Sequence, residues 1–380
     1  MRVLVIGAGP GGAAAAIELA RGGADVRVVE KSPWPRAKTC GDGISPPGVR
    51  EARALGVALD DKRPLAVGEI STPCGIRFSG GWRPETPWGA IVERREFDER
   101  LMRAAVAAGA RFDAGVAVAE LTPDPAGPQA TFARNGNPRA ERFDAIVLAE
   151  GATGSLAGRA GFGRHRTRLV ALRGYARSLV PLEPQFGLYF DRDVSPGYGW
   201  IFPVDERRAN VGVLVGERAV RARGGDLRGI LRSWTRTSAA ARRVVGETPE
   251  YESLSGGVIP TGRRSRVRDG IYLVGDAAGV ADPFSAEGIY QALASGRAAA
   301  RALLAAGPGR CAERRYATSL RPFDRNAAEA YRLRLGFGYV IDVLGARAVK
   351  RPELAHHLSS SGFFMKESLP AFLWGIARTW

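Results

Sequence analysis

The sequence predicts an α/β protein with a second layer of α+β character: a domain of parallel strands and helices, a domain built on antiparallel sheet, and a helical tail. Three observations predict this. The chain opens on a strand, a glycine turn, a helix and a second strand that ends on an acid. Residues 168 to 215 carry few helix signals and many β-branched or aromatic residues. From Cys311 onward the pattern is helical and rich in Arg. With 380 residues the chain has enough length to bury a large core and to hold two subdomains.

Arg2 to Ile6 reads as a short apolar strand, and GAGPGG follows at once. A helix of small residues then starts at Ala13, and a second strand from Ala24 to Val29 ends on Glu30. Gly7, Gly9 and Gly12 form G-x-G-x-x-G between a strand and a helix, the Rossmann-type setting that this motif requires. Gly7 permits the tight turn, Gly9 lets a pyrophosphate approach the backbone, and Gly12 lets helix and strand pack closely. The helix N-terminus offers free N–H groups and partial positive charge to phosphates. Glu30 is placed to accept hydrogen bonds from both ribose hydroxyls of an adenosine, and its charge disfavours a 2′-phosphate. A secretory signal is the competing reading of this start, but the glycines stand where its apolar stretch belongs.

The net charge is +16, and 50 of the 55 basic residues are Arg. Such a surface favours anionic partners. The arginines are scattered among acids without a long basic run, which argues against nucleic acid and leaves an acidic lipid surface open. Three cysteines (Cys40, Cys74 and Cys311) and three histidines form neither a disulfide framework nor a metal pattern, so no metal is expected and a reducing cytoplasm fits. No run of 18 apolar residues occurs, so no bilayer-spanning helix is expected.

The segment after Glu30, KSPWPRAKTCGDGISPPGV, is rich in Pro and Gly and is expected as a loop over the ligand. Within it, Arg36 and Lys38 are placed to lower the thiol pKa of Cys40; a small residue packed in a tight turn is the alternative. Glu69 to Phe78 suits a strand pair. Arg94 to Asp98 opens a helix, from which Arg94 could reach cofactor phosphates. Val116 to Ala149 reads as strands, with a hairpin turn at Asn135-Gly136. GYGWIFPVDERRANVGVLVG reads as two strands joined by a polar turn from Asp205 to Asn210. Asp226 to Ala241 is expected as one amphipathic helix and Glu250 to Pro260 as a strand. Gly270 to Val274 is a further apolar strand, after which Ser285 is expected to cap a helix running from near Ala286 to about Leu304. FFMKESLPAFLWGIARTW, near the end, concentrates aromatics, for core packing or membrane contact.

Two distant stretches combine into one site. The glycine fingerprint suits an ADP moiety. Asp276, at the end of the strand before GDAAG, suits a ribityl hydroxyl, and the helix after Ser285 aims its positive end beyond it. A reduced flavin carries negative charge at its N1–C2 carbonyl edge, and a helix N-terminus stabilises that charge. A nicotinamide needs neither feature, so the expected dinucleotide is FAD.

GAGPGG with Glu30, the AEGATGS run and GDAAG followed by Pro283 and Gly288 resemble the flavoprotein superfamily that shares the para-hydroxybenzoate hydroxylase fold. Within it, PRAKTCGDGISP and YGWIFP are similar to the geranylgeranyl reductase family. The resemblance covers Val3 to about Arg301. It implies a discontinuous FAD-binding domain at 1–75, 90–155 and 262–310, a substrate-binding β-sheet domain at 76–89 and 156–261, and a C-terminal helical segment at 311–380. It implies FAD contacts at Gly7, Gly9, Gly12, Glu30, Lys31, Cys40, Gly41, Arg94, Asp276, Pro283 and Gly288. Tyr198, Trp200, Phe202 and Pro203 match the family's aromatic substrate-pocket motif, and Cys40 falls where the family has a cysteine near the flavin. Cys40, Tyr198 and Trp200 are the expected catalytic positions. Two departures stand out. The family's motif continues with G-x-G, where this chain keeps Gly212 but has Leu214 at the second glycine, and the mid-chain Asp-Gly pair is Glu150-Gly151.

The resemblance implies reduction of carbon–carbon double bonds in an isoprenoid chain: a geranylgeranyl lipid, a prenyl diphosphate or a quinone side chain. No second glycine fingerprint marks a dedicated NAD(P)H domain, so NAD(P)H or a donor protein such as ferredoxin would supply the electrons. The expected setting is the cytoplasm, with peripheral contact at the inner face of the membrane left open. The rivals on the same fold are an aromatic hydroxylase and a halogenase. YGWIFP departs from the halogenase W-x-W-x-I-P run, and Lys62 lies in no motif that would serve a halogenase's lysine.

Overall fold

The computed structural model describes residues 1–380 apart from 81–87, 133–137, 166, 263, 359–375 and 379–380. The expected turn at Asn135-Gly136 and nearly all of the aromatic C-terminal stretch lie outside the described residues. The strand Arg2–Ile6 lies between Asp25–Glu30 and Ala145–Leu148 in a six-stranded sheet that extends to Arg111–Ala114 on one side and to Ile271–Leu273 and Val267–Arg268 on the other. Every pair is parallel except the Val267–Arg268 edge. Val3, Leu4, Val5 and Ala145 to Leu148 are fully buried, as expected for strands covered on both faces. Parallel strands share a carboxyl end, so the residues after Ile6, Glu30, Leu148 and Leu273 emerge at one edge of the sheet.

Two helices on one face of this sheet set the geometry of that edge. Pro10–Arg21 begins earlier than the expected Ala13, because Pro10 occupies a first-turn position where a missing N–H is no loss. Ile289–Ala306 also begins elsewhere than expected: Ser285 is not its cap. Asp282 Oδ1 accepts from the amides of Phe284 and Ser285 and from the Ser285 hydroxyl, closing a separate turn, and Gly288 precedes the helix. An ideal Cβ on Gly296 would stand 2.1 Å from the Gly11 carbonyl oxygen, and one on Gly22 would stand 2.4 Å from Leu304 Cδ2. Contacts run from Gly11 with Gly296 at one end to Gly22 with Leu304 at the other, so the helices are parallel and both N-termini point to the sheet edge.

The second layer is a seven-stranded sheet in the order Tyr251–Thr261, Thr167–Arg177, Arg208–Gly216, Tyr198–Pro203, Gln185–Tyr189, Ala66–Ser71, Arg77–Ser79. The expected strand pair around Glu69 and the two strands around Asp205 are present as its members. It is antiparallel apart from the pairing of Ala66–Ser71 with Gln185–Tyr189. Ala66–Ser71, which precedes the domain boundary expected at residue 75, joins this sheet through a partner strand more than a hundred residues away. Alternation assigns the faces. Ala209, Val211, Val213 and Val215 pack with Ile230, Leu231 and Trp234, while Asn210, Gly212 and Leu214 point the other way. The helix expected over Asp226 to Ala241 is two helices, Leu227–Thr237 and Ala239–Val245, broken where Ser238 turns extended. In the tail, Arg310–Ser319, Arg321–Ala348 and Pro352–His357 are helical, as expected. The loop expected from Lys31 through Val49 ends sooner. Ser45 Oγ accepts from the Gly48 amide and caps a helix at Pro46–Ala54.

The contact at Gly296 is specific enough to test. Gly296→Ala forces a methyl into the Gly11 carbonyl and is expected to destabilise the protein by about 1–3 kcal/mol, read as a lowered thermal midpoint. An unchanged or raised midpoint would show that the two helices do not meet at this distance.

Candidate active site

At the shared edge of the two layers lies a cavity of about 580 Å³. Both helix N-termini open onto it: Gly9 and Pro10 from one, Gly288 and Ile289 from the other. The expected residues Gly7, Glu30, Lys31, Cys40, Gly41, Arg94 and Asp276 are on its wall. So are Tyr198, Trp200 and Phe202, contributed by the second sheet. Gly12, Pro203 and Pro283 are not on the wall. Gly12 instead meets the strand turn, where an ideal Cβ would stand 1.9 Å from the Gly7 oxygen. Gly7 needs its freedom twice, with φ of +100° and an ideal Cβ 2.3 Å from the Ala149 oxygen.

The turn at Gly9 faces two guanidinium groups. An ideal Cβ there would meet only Arg36 Nη2 at 3.5 Å and Arg94 Nη2 at 3.9 Å. One carboxylate holds both arginines. Asp98, fully buried, accepts from Arg94 Nε and Nη2 at 2.8 Å each and from Arg36 Nη1 at 3.0 Å. The two forks thus stand beside bare backbone amides, a suitable arrangement for a pyrophosphate. Glu30 accepts from the Ala8 and Ser32 amides and from Arg36 Nε. Burial pushes its carboxyl up, but the Ser32 amide, the Arg36 charge and the Ala8 amide outweigh this, and its pKa lies below the usual carboxylate value. It is therefore an ionised acceptor at neutral pH.

Asp276 supplies a different feature. It is partly buried against the cavity, and among the described residues no hydrogen bond satisfies its carboxylate. Burial raises its pKa, against the pull of Lys38 and Arg94. A partly buried carboxylate without protein donors is ready to accept from a ligand that brings them. The first amides of Ile289–Ala306 have no intrahelical acceptor and open onto the same space. Bare backbone at Gly9, paired guanidinium groups, an unmatched carboxylate and a helix N-terminus on one continuous cavity fit FAD.

The loop carrying Cys40 is fastened to the second sheet. Asp42 is fully buried with φ of +63°, and its Oδ2 accepts from the Tyr175 hydroxyl at 2.5 Å and Asn210 Nδ2 at 2.8 Å. Asn210 Nδ2 also donates to the Cys40 carbonyl, and its Oδ1 accepts from Trp200 Nε1 at 3.0 Å. One amide thus sets both the loop and the indole. Burial pushes the Cys40 thiol up, and this outweighs the opposing charge of Arg94. This corrects the expectation that Arg36 and Lys38 lower that pKa: Arg94 is the cation that acts on the thiol, and desolvation prevails. Tyr198 donates its hydroxyl to the Ser285 carbonyl. Lys62 is held by Glu96 and Asp61 away from the cavity wall.

Several of these groups were not singled out in the sequence. Asp98 had one signal, its spacing of four from Arg94 on a helix. Asp42 stood inside the CGDG run without a role of its own. Asn210 and Arg173, the latter on the cavity wall, had no signal, because only sheet register brings them to the Cys40 loop.

Asp98→Ala leaves Arg94 without its counter-charge and Arg36 with Glu30 alone. It is expected to cost about 3–5 kcal/mol of stability and to weaken FAD binding, read by denaturant titration of the apoprotein and by FAD titration. Wild-type values in both would mean that Asp98 does not set the arginines.

Comparison with known proteins agrees with this geometry. The family model described as FAD binding domain matches residues 1–322. Menaquinone reductase of Mycolicibacterium smegmatis is 34% identical over 325 residues, covering 80% of this chain and 76% of that protein. Digeranylgeranylglycerophospholipid reductase 2 of Methanopyrus kandleri is 31% identical over 309 residues, covering 78% of this chain and 75% of that protein. The crystal structure of a geranylgeranyl bacteriochlorophyll reductase-like protein from Thermoplasma acidophilum superposes with a TM-score of 0.82 at 22% identity, covering 100% of this chain and 96% of that one, a likeness of fold. The match over residues 1–322, on the residues that build this cavity, shows that the chain belongs to the FAD-binding-domain family and is an FAD-dependent oxidoreductase.

Proposed function

We propose that this protein saturates carbon–carbon double bonds in an isoprenoid chain, carried by a quinone or a polar lipid. One observation carries the reading: the cavity that the dinucleotide fingerprint opens into is walled on its other side by Phe186, Tyr198, Trp200, Phe202 and Leu214. The named relatives, a menaquinone reductase and a digeranylgeranylglycerophospholipid reductase, support it. FAD, when bound, supplies the hydride.

The chain's own residues supply the rest. An isolated double bond is a poor hydride acceptor, so the apolar wall has to hold it in position and keep water away. Trp200 is fixed by Asn210 and lies across Gly212, where an ideal Cβ would stand 2.4 Å from its Cζ2. Leu214, at the family's second glycine, lies between Tyr198 and Ala171 in register and fills part of the wall. A proton must reach the second carbon. Cys40 is the better source, because burial keeps its thiol protonated while the Tyr198 hydroxyl is engaged with Ser285. Electrons come from NAD(P)H or a donor protein of the ferredoxin kind. No described helix is long and apolar enough to cross a membrane.

The test is anaerobic. Reduced holoprotein mixed with menaquinone or a geranylgeranyl lipid is expected to reoxidise and to yield a lipid heavier by two hydrogens per bond. A strict requirement for oxygen, with an oxygen atom in the product, would establish the hydroxylase alternative instead. Cys40→Ser is expected to keep its FAD and to slow lipid-driven reoxidation by on the order of 10²-fold or more; a wild-type rate would place the proton elsewhere.

A further inference from the structure

Arg173 sits in the middle of the second sheet, on the strand Thr167–Arg177, and only 7% of it is exposed. Its strand neighbours in register are Gly212 and Ser255, and Gly212 in turn faces Trp200. Trp200, Gly212, Arg173 and Ser255 therefore form one row across the sheet, with the guanidinium group on the cavity wall beyond the indole. Arg173 Nε donates to the Cys40 carbonyl at 3.1 Å, and Nη1 donates to Ser253 Oγ at 3.3 Å. Its guanidinium carbon stands 4.3 Å from the centre of the Tyr175 ring. Among the described residues, no carboxylate lies within ion-pairing distance of Arg173 and nothing accepts a hydrogen bond from Nη2. Asp42, the nearby acid, attracts Arg173 only through space: its Oδ2 is engaged by Tyr175 and Asn210, and it makes no hydrogen bond to the guanidinium group.

A buried guanidinium group is costly without a counter-charge or a full set of acceptors. Arg36, Arg94, Arg266 and Arg297, with side chains 16% exposed or less, each pair with a carboxylate, and the partly buried Arg264 gives its donors to the Phe162, Gly163 and Ala277 carbonyls. Arg173 alone in that group turns unmatched donors toward the cavity. We propose, on the basis of the reductase reading above, that Arg173 anchors the polar head of the substrate through an acceptor oxygen, while the isoprenoid chain lies along the aromatic wall. The head carries oxygens that accept from a planar fork: a quinone ring carbonyl or a phosphate oxygen. Arg173 is thus a specificity residue, selecting lipids that carry such a head over bare prenyl hydrocarbons. It also ties head recognition to the reacting site, since the same side chain holds the Cys40 carbonyl.

The experiment compares menaquinone, geranylgeranyl diphosphate and the headless prenyl hydrocarbon squalene. Each is titrated into the oxidised holoenzyme of wild type, Arg173→Leu and Arg173→Gln, following quenching of tryptophan fluorescence, with FAD content measured in parallel. Arg173→Leu is expected to weaken the binding of whichever head-bearing lipid the wild type prefers by about tenfold or more, with squalene binding and FAD content unchanged. Arg173→Gln keeps neutral donors. It is expected to retain much of the affinity for menaquinone if the partner is a ring carbonyl, and to lose affinity for geranylgeranyl diphosphate if the partner is a phosphate. Equal weakening for squalene would make Arg173 a brace for the Cys40 loop and overturn the proposal, as would loss of FAD from Arg173→Gln. Wild-type affinity for the head-bearing lipid in both variants would overturn the anchor while leaving the reductase reading intact. A wild-type protein that binds none of the three would overturn the reductase reading and the anchor with it.

Discussion

Two helices lie side by side so closely that a methyl group has no room between them. Gly11 and Gly296 make the contact at one end, and Gly22 admits Leu304 at the other. Close parallel packing brings together two N-termini separated by nearly three hundred residues of chain. Each is a cluster of unmatched amides with partial positive charge. With both on one cavity, an anionic group can be held at either end of a long ligand, and the distance between the ends is set by backbone rather than by adaptable side chains.

The second sheet closes this cavity by simple alternation. Residues at odd positions from Ala209 to Val215 take the core side against Trp234, and the even ones take the opposite face, where Leu214 lines the cavity. Asn210 links the parts, since its side chain bonds the Cys40 loop, the buried Asp42 and the Trp200 indole at once. Losing any member of such a network is expensive, and Asp42 Oδ1 is its one buried oxygen without a hydrogen-bond partner among the described residues. It gives the loop a fixed height above the cavity, and through that loop it couples the dinucleotide end to the aromatic wall.

Much of this was legible in the chain. The fingerprint from Gly7 to Gly12, Glu30 on the second strand and the period-two aromatics at Tyr198, Trp200 and Phe202 are local patterns, and their meaning depends on neighbours in sequence. Ser285 misled for a related reason. It looks like a helix cap by residue type, but Asp282 captures the local amides and its own hydroxyl. The effect of burial on Cys40 was not legible, because adjacent cations in sequence suggested the opposite sign. Asp98, Asn210 and Arg173 became visible only when register and packing placed them, and the early arrival of Ala66–Ser71 in the second sheet has the same origin: pairing with a distant edge leaves no local trace.

The account rests on a single ligand running from the first glycine turn to the start of the Ile289–Ala306 helix. The most direct measurement is an electron-density map of the protein crystallised with FAD. The expected density has the adenosine at Glu30, the pyrophosphate between Gly9 and the guanidinium groups of Arg36 and Arg94, and the flavin ring between Gly288 and the aromatic wall. A ring placed away from Gly288, or a dinucleotide outside this cavity, would contradict it.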